Sequence, residues 1–460
     1  MTDITCISPI DGSVVARRPI ATDNQIDSAI KAARAAQAEW SRVSLAERGR
    51  LMLAALAQLD AMNTDVVPEL ARQMGRPVRY GGEFRSVAER VTHMVEIAET
   101  SLAPVRPAVK SGFRRYIRRD PLGVIFTIAP WNYPFLTAVN TIVPGLMAGN
   151  AVILKAASQT IFTGERFQSA FDKAGLPKGL FQHLVLSHEA TAKILSGGHV
   201  DHVSFTGSVE GGRVIERAAA GTFTSVGLEL GGKDPAYVRA DAKLDHASEN
   251  LVDGAFFNSG QSCCGIERIY VHRSLFKPFV DGAVALTKQY VLDDPLDAAT
   301  TLGPMAAGRF ADLVRGHTAE AVSKGAAALI DSKGFKRNAE GTPWLAPQIL
   351  TNVDHTMKVM TEESFGPVVG IMAVDSDDEA VSLMNDCAYG LSASIWTTDL
   401  DAADALSSRI ETGTVFANRC DYLDQGLAWT GVKDTGRGAS LSSIGYEILT
   451  RPKSIHLREG

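Results

Sequence analysis

A repeated unit constrains this chain more than any single motif: a short apolar run, a loop, then a helical stretch. "GVIFTIA" (123–129) leads through the loop "PWNYP" into a helical segment ending at Met147. "AVILKA" (151–156) leads into a helix from about Ser158 to Ala174, closed by Gly175 and Pro177, and "HVSFTG" (202–207) leads into "SVEGGRVIERAAAG". Runs this short and this uniformly apolar suit strands buried on both faces, and strands joined through helices run parallel. The units therefore predict an α/β fold with a parallel, doubly wound sheet. A second region begins near Gly231, with "DHASENLVDGAFFN" (245–258) as helix and "RIYVHR" (268–273), "PVVGIMAV" (367–374) and "ASIWTT" (393–398) as strands. We place a domain boundary near 231, as a chain of 460 residues is long enough for two or more domains.

The first hundred residues read as helices. In "ATDNQIDSAIKAARAAQAEW", Asp23 or Asn24 is the expected N-cap, with Ile26, Ile30 and Ala33 on one face. Ser44 and Glu47 have the spacing of a capping box. "RRYIRRD" (114–120) suits a solvated strand or arm, and "SIHLRE" (454–459) an edge strand. The net charge of −6 provides no general attraction to nucleic acid or an anionic membrane, and no apolar stretch is long enough to span a bilayer. "MTDITCISPIDG" lacks the pattern of a signal peptide, and five sparse cysteines fit reduced thiols, so a cytoplasmic location is expected. His199 and His202 have a metal-like spacing but no completing ligands, and no metal is expected.

Several side chains sit where an open parallel sheet binds ligands, at the carboxyl ends of its strands. "FTGSVEGG" runs strand, Gly207, helix, Gly212, and glycine at that turn lets a phosphate approach the helix N-terminus or simply permits a tight turn. Lys155 ends a strand and either reaches a ribose or phosphate or is solvated. Asn132 follows a strand and either donates to an oxyanion or caps its loop. Glu229 is a lone acid in an apolar run, which calls for a function or a salt-bridge partner. "NSGQSCCGIER" (258–268) places Cys263 and Cys264 side by side. A thiol, an amide donor, a carboxylate and a phosphate-friendly turn together point to covalent catalysis with a nucleotide cofactor.

With "PWNYP", "ILKAAS", "FTGS", "LELGGK", "GQSCC", "EESFGPV" and "GVKDTGRG" in this order, the chain resembles the NAD(P)-dependent aldehyde dehydrogenase superfamily over nearly its whole length. The resemblance implies a Rossmann-type cofactor domain (1–102 and 122–231), an α/β catalytic domain (232–432), and a β oligomerisation arm with the C-terminal segment (103–121 and 433–460). Its Gly-Gln-x-Cys signature falls on Gly260 to Cys263, making Cys263 the implied nucleophile, Asn132 the oxyanion amide and Glu229 the general base. The implied cofactor contacts are Lys155, Ser158, Gly207, Ser208, Trp131, Glu363 and Phe365. The implied substrate lining is Tyr133, Thr137, Asn140, Ser262, Tyr422, Leu423 and Trp429, and this mixture suits a medium-sized aldehyde. Cys264 is then a packed neighbour or a protective disulfide partner.

The implied reaction oxidises a small-molecule aldehyde to a carboxylic acid with NAD or NADP through a cysteine thiohemiacetal and thioester. Strict NAD users in the family tend to carry a glutamate where this chain has Ser158, so NADP should be tolerated, and a preference for it over NAD stays open. The usual Phe-Gly-Gly reads "AWTG" (428–431), and a second family glutamate is Gly438 here, so Glu229 is expected to carry more of the deacylation. A homodimer or homotetramer is implied. Rival readings are a CoA-acylating aldehyde dehydrogenase, a non-catalytic scaffold of the same fold, and a plain cysteine hydrolase; the presence of Glu229 favours hydrolysis over CoA, and no motif supplies a histidine for the hydrolase.

Overall fold

The computed structural model describes residues 3–459; Met1, Thr2 and Gly460, which the expected domain ranges include, lie outside them. The repeated units fold as a six-stranded sheet. Its spatial order is Gly436–Arg437, Ser225–Glu229, His202–Thr206, Val124–Ile128, Ala151–Lys155, Phe181–His183. All neighbours are parallel except the short Gly436–Arg437 strand. Val124–Ile128 and Ala151–Lys155 are buried along their whole length, as expected of central strands covered by helices on both faces. Chain order reverses between Val124–Ile128 and its neighbour His202–Thr206. The loops after these strands therefore border a crevice, the usual ligand position in such sheets.

A seven-stranded sheet follows from the second region, with Asp234–Val238, Ile266–His272 and Val368–Val374 near its centre. Alternate side chains supply two separate cores. Ala236, Val238, Ile269 and Val271 pack with the helices Leu244–Phe256 and Arg273–Thr287. Tyr237, Tyr270, Val368 and Ile395 pack with Gly308–Ser323 and Asp377–Asn385 on the other side. This period-two division is the signature of a sheet clothed on both faces.

Several expectations need correction. The chain does not begin with helices: Asp3–Ile7 and Val14–Pro19 form an antiparallel hairpin before the first helix. That helix, Asp23–Trp40, is capped by Thr22 rather than Asp23 or Asn24. The Thr22 hydroxyl accepts from the Gln25 amide while the Gln25 side chain accepts from the Thr22 amide, so two otherwise unpaired donors are satisfied reciprocally. Ser44 caps Leu45–Asp60, but the Glu47 carboxylate pairs with Arg50 instead of closing a box. Strands Phe181–His183, Ser225–Glu229, Asp234–Val238, Gln348–Thr351 and Thr414–Ala417 lie beyond the strands read from sequence. Near the C-terminal end, Gly436–Arg437 joins the six-stranded sheet, and Thr450–Arg458 pairs antiparallel with Phe113–Pro121 as a two-stranded ribbon.

Candidate active site

Three neighbouring loops build the site, and each needs unusual backbone. The segment before Cys263 carries three successive left-handed residues, Asn258 (φ 53°), Ser259 (φ 58°) and Gly260 (φ 69°). Left-handed non-glycine residues are costly, so they persist only where contacts over-determine them. The Ser259 hydroxyl donates to the Gly303 carbonyl at 2.8 Å, the Gln261 side-chain amide donates to the Asn258 carbonyl at 3.0 Å, and the Ala306 amide donates to Gln261 Oε1 at 2.8 Å. Gly260 is required for a second reason: a Cβ there would strike the Gly366 carbonyl.

"LELGGK" explains itself at the same place. Glu229 closes the strand Ser225–Glu229, and the two glycines after it thread between the other loops. A Cβ on Gly231 would strike the Glu363 carboxylate, and one on Gly232 would lie 2.5 Å from the Cys263 carbonyl oxygen. Only bare backbone lets the Glu229 strand, the thiol loop and the Glu363 turn converge. Below them, buried Lys233 pairs with Glu267, whose carboxylate accepts from the Ser364 and Phe365 amides at 2.8 Å each and fixes that turn.

Asn132 is buried, and its side-chain amide donates to the Gln261 carbonyl at 3.1 Å, leaving a second hydrogen for another acceptor. An ion pair that sequence reasoning missed holds its loop. Arg76 and Glu83, with side chains 4% and 2% exposed, pair at 2.6 Å. Arg76 also donates to the Asn132 carbonyl and, at 3.4 Å, to Asn258 Oδ1. Glu83 accepts from the Phe135 and Leu136 amides at 3.1 and 2.7 Å, at the start of helix Pro134–Met147.

A cavity of about 280 Å³ opens between the sheets, and Cys263, Cys264 and Glu229 all line it. So do Tyr133, Thr137, Asn140, Ser262, Tyr422, Leu423 and Trp429. Cys263 is half-buried, whereas Cys264 is buried. Burial pushes the Glu229 carboxyl upward, partly offset by Ser440 and the Arg90 charge. Sequence reasoning missed Glu89, Arg90, Asp253 and Asp421 in this wall. Arg90 is engaged internally, donating to the Leu136 carbonyl at 2.8 Å and to Asn140 Oδ1 at 2.9 Å. Asp421 directly precedes Tyr422, so adjacency was the one available signal for it.

The expected cofactor residues lie on separate turns outside the cavity lining. Lys155 ends its strand, buried, and burial lowers its ammonium below the usual lysine range. Ser208 caps the helix Val209–Ala219 with Gly207 before it, and Ser158 is exposed in a short turn at 158–160. Glu363 accepts from the Gly232 amide at 3.0 Å, and burial, together with the Glu267 charge, pushes its carboxyl up to about 8. Phe365 (φ 49°) meets Trp131 edge-on at 5.6 Å, and Trp131 stacks on Phe310 at 5.1 Å. An ammonium at one strand end and a helix N-terminus after another are donors suited to a dinucleotide's phosphates and ribose, and the Glu363 carboxylate on its turn is an acceptor for hydroxyls. Among the described residues, no group of His, Cys, Asp or Glu gathers to hold a metal ion, and no helix is long and apolar enough to cross a membrane.

The fold and site define an α/β oxidoreductase with a thiol between a dinucleotide-type sheet and a second parallel sheet. A profile of the aldehyde dehydrogenase family matches residues 1–455, and the chain belongs to that family. It is 32% identical over 460 residues to the peroxisomal aminoaldehyde dehydrogenase 1 of Pisum sativum, covering 98% of this chain and 91% of that protein. The structure is similar to an NAD-dependent aldehyde dehydrogenase from Sinorhizobium meliloti (TM-score 0.95, 31% identity, 100% of this chain and 92% of that one). It is also similar to an NADP dependent enzyme from E. coli (TM-score 0.94, 27% identity, 99% and 95%). The protein is thus an NAD(P)-dependent enzyme that oxidises aldehydes to carboxylic acids.

Proposed function

We propose that Cys263 is the nucleophile, Asn132 the oxyanion donor and Glu229 the base of a hydrolytic aldehyde dehydrogenase. The observation that carries this reading is the shared cavity: Cys263 and Glu229 line one space, with Asn132 tied to the nucleophile loop behind it. The Cys263 thiolate adds to the aldehyde carbon, and the free Asn132 amide hydrogen with the Cys263 N–H stabilises the oxyanion, giving a thiohemiacetal. NAD(P)+, when bound, supplies the hydride acceptor. Lys155, Gly207, Ser208 and Glu363 would hold it, Trp131 and Phe365 would pack beside it, and Ser158 would leave room for a 2′-phosphate. Glu229 then takes a proton from water, the hydroxyl adds to the thioester, and the carboxylic acid leaves as Cys263 is freed. A Glu229 placed on the cavity favours water over CoA as acceptor. Adding CoA and assaying for acyl-CoA tests that choice, and acyl-CoA as the main product would refute it.

Ser158 supports use of NADP alongside NAD, as no carboxylate stands there to repel a 2′-phosphate. The cavity supports an aldehyde with a cationic or neutral tail, because three carboxylates, Glu89, Asp253 and Asp421, line it against one guanidinium, Arg90, which already donates to Leu136 and Asn140. The name of the Pisum sativum relative accords with an amino-bearing substrate. An aminoaldehyde should exceed an isosteric carboxylate-bearing semialdehyde in kcat/KM by at least about tenfold, ~1.4 kcal/mol; equal values would refute this. We also propose a homodimer or homotetramer built through the ribbon Phe113–Pro121 and Thr450–Arg458, beside which Val105 and Val109 stand exposed. Residues 1–102 and 122–231 would form the cofactor-binding domain and 232–432 the catalytic domain. Five free thiols suit a reducing compartment such as the cytoplasm.

A further inference from the structure

Both adjacent thiols line the cavity, so an arriving aldehyde meets two sulfur atoms, and the local geometry must distinguish them. One carboxylate does so. Asp421 Oδ1 accepts from the Ser262 hydroxyl at 2.8 Å and from the Cys264 thiol at 3.0 Å. Its carboxylate thus accepts from both neighbours of Cys263 and not from Cys263 itself. This pair of contacts is built with backbone strain, since Asp421 has φ 47° and Asn418 nearby has φ 55°.

We infer that Asp421 is a positioning residue that selects the reactive thiol, turning Cys263 to the substrate and holding Cys264 as an inert S–H donor. The inference rests on the proposal that Cys263 is the nucleophile. A thiol that donates to a carboxylate loses that bond on ionising and then faces a second negative charge, so the contact opposes thiolate formation. The neighbouring groups act in the same direction. Hydrogen bonding to Cys263, burial and the Asp421 charge all push the Cys264 thiol upward. Asp234 on its strand acts likewise, and Asp253 on the helix Leu244–Phe256 raises the negative potential by facing Asp421. Arg90 from the helix Phe84–Ser101 is the opposing charge, acting on both thiols and on Glu229. Tyr133, itself pushed well above the usual range, completes the surround as a neutral phenol.

The test measures the two thiols separately. In a Cys263→Ala background, peptide mass spectrometry follows iodoacetamide labelling of Cys264 against pH, with Asp421 intact, as Asp421→Asn, and as Asp421→Ser in case the amide fails to fold. Thiolate fraction at fixed pH changes about tenfold for each unit of pKa. Removing the carboxylate should therefore raise Cys264 labelling at least about tenfold at pH 8 and move its pH curve downward. Ser262→Ala, which leaves the charge and the Cys264 contact, should leave that labelling slow while lowering turnover in the Cys263-bearing enzyme. Unchanged Cys264 labelling in a folded Asp421 variant would overturn the inference, because burial alone would then account for the inert thiol. Turnover retained by Cys263→Ala would overturn the nucleophile assignment instead, a result read from activity and not from labelling.

Discussion

The Arg76–Glu83 pair offers the sharpest test of how the site is held. The Glu83 carboxylate uses one oxygen for Arg76 and the other for the Phe135 and Leu136 amides. In Glu83→Gln, one oxygen becomes an NH₂, so either the guanidinium or the two backbone amides must face a donor. Both side chains are almost fully buried, so the single substitution leaves an unmatched group out of water, a loss of about 3–5 kcal/mol for a broken buried ion pair. Arg76→Met should cost a similar amount, since it strands the carboxylate. The double variant differs, because Gln can then turn its oxygen to the backbone amides beside a neutral methionine. It should be at least about 2 kcal/mol more stable than the sum of the singles predicts. Denaturant midpoints at one fixed protein concentration read the cycle. Because Arg76 also donates to the Asn132 carbonyl, Arg76→Met should lower kcat by up to about 10²–10³, the range for losing an oxyanion donor. Additivity within about 0.5 kcal/mol, or an unchanged kcat, would refute the view that this pair holds the Asn132 loop.

Other outcomes follow from the same geometry. Glu229 is pushed upward by burial, so it stays protonated, and unable to accept a proton from water, at pH values above the ordinary carboxylate range; kcat should fall on acidification while pH is still above about 4.5, and Glu229→Gln should abolish that limb. Ser158→Glu should cut kcat/KM with NADP by about tenfold or more while sparing NAD; an equal loss with both cofactors would contradict the proposed 2′-phosphate position. Mass photometry should find a dimer or tetramer, and a stable monomer would count against assembly through the Phe113–Pro121 ribbon.

The legible parts of this protein are those in which chemistry and local pattern coincide. Central strands such as Val124–Ile128 are wholly buried, so they read as unbroken apolar runs, and Asn132, Lys155 and Gly207 could be placed after strand ends. Ser225–Glu229 starts exposed and contains a glycine, so it lacks the unbroken apolar run of a central strand, and only its closing acid stands out. The N-terminal hairpin is short and one-sided, and helical patterning nearby obscured it. The residues that hold the site leave almost no sequence signal, adjacency to Tyr422 being the one hint of Asp421. Arg76 and Glu83 lie 56 and 49 positions before Asn132, and Asp421 is 159 positions from Ser262. Polar contacts over such separations leave no periodic trace in a single sequence. The GlyGly of "LELGGK" answers to the Glu363 carboxylate and the Cys263 carbonyl on either side of it, neighbours distant in sequence.

The assignment of Cys263 and Glu229 is tested most directly by trapping the acyl-enzyme. Glu229→Gln, mixed with an accepted aldehyde and NAD(P)+, acid-quenched and digested, should yield one equivalent of reduced cofactor and the corresponding acyl mass on Cys263 within the 258–268 peptide. An acyl group on Cys264, or steady turnover with no acyl group on either thiol, would contradict the account.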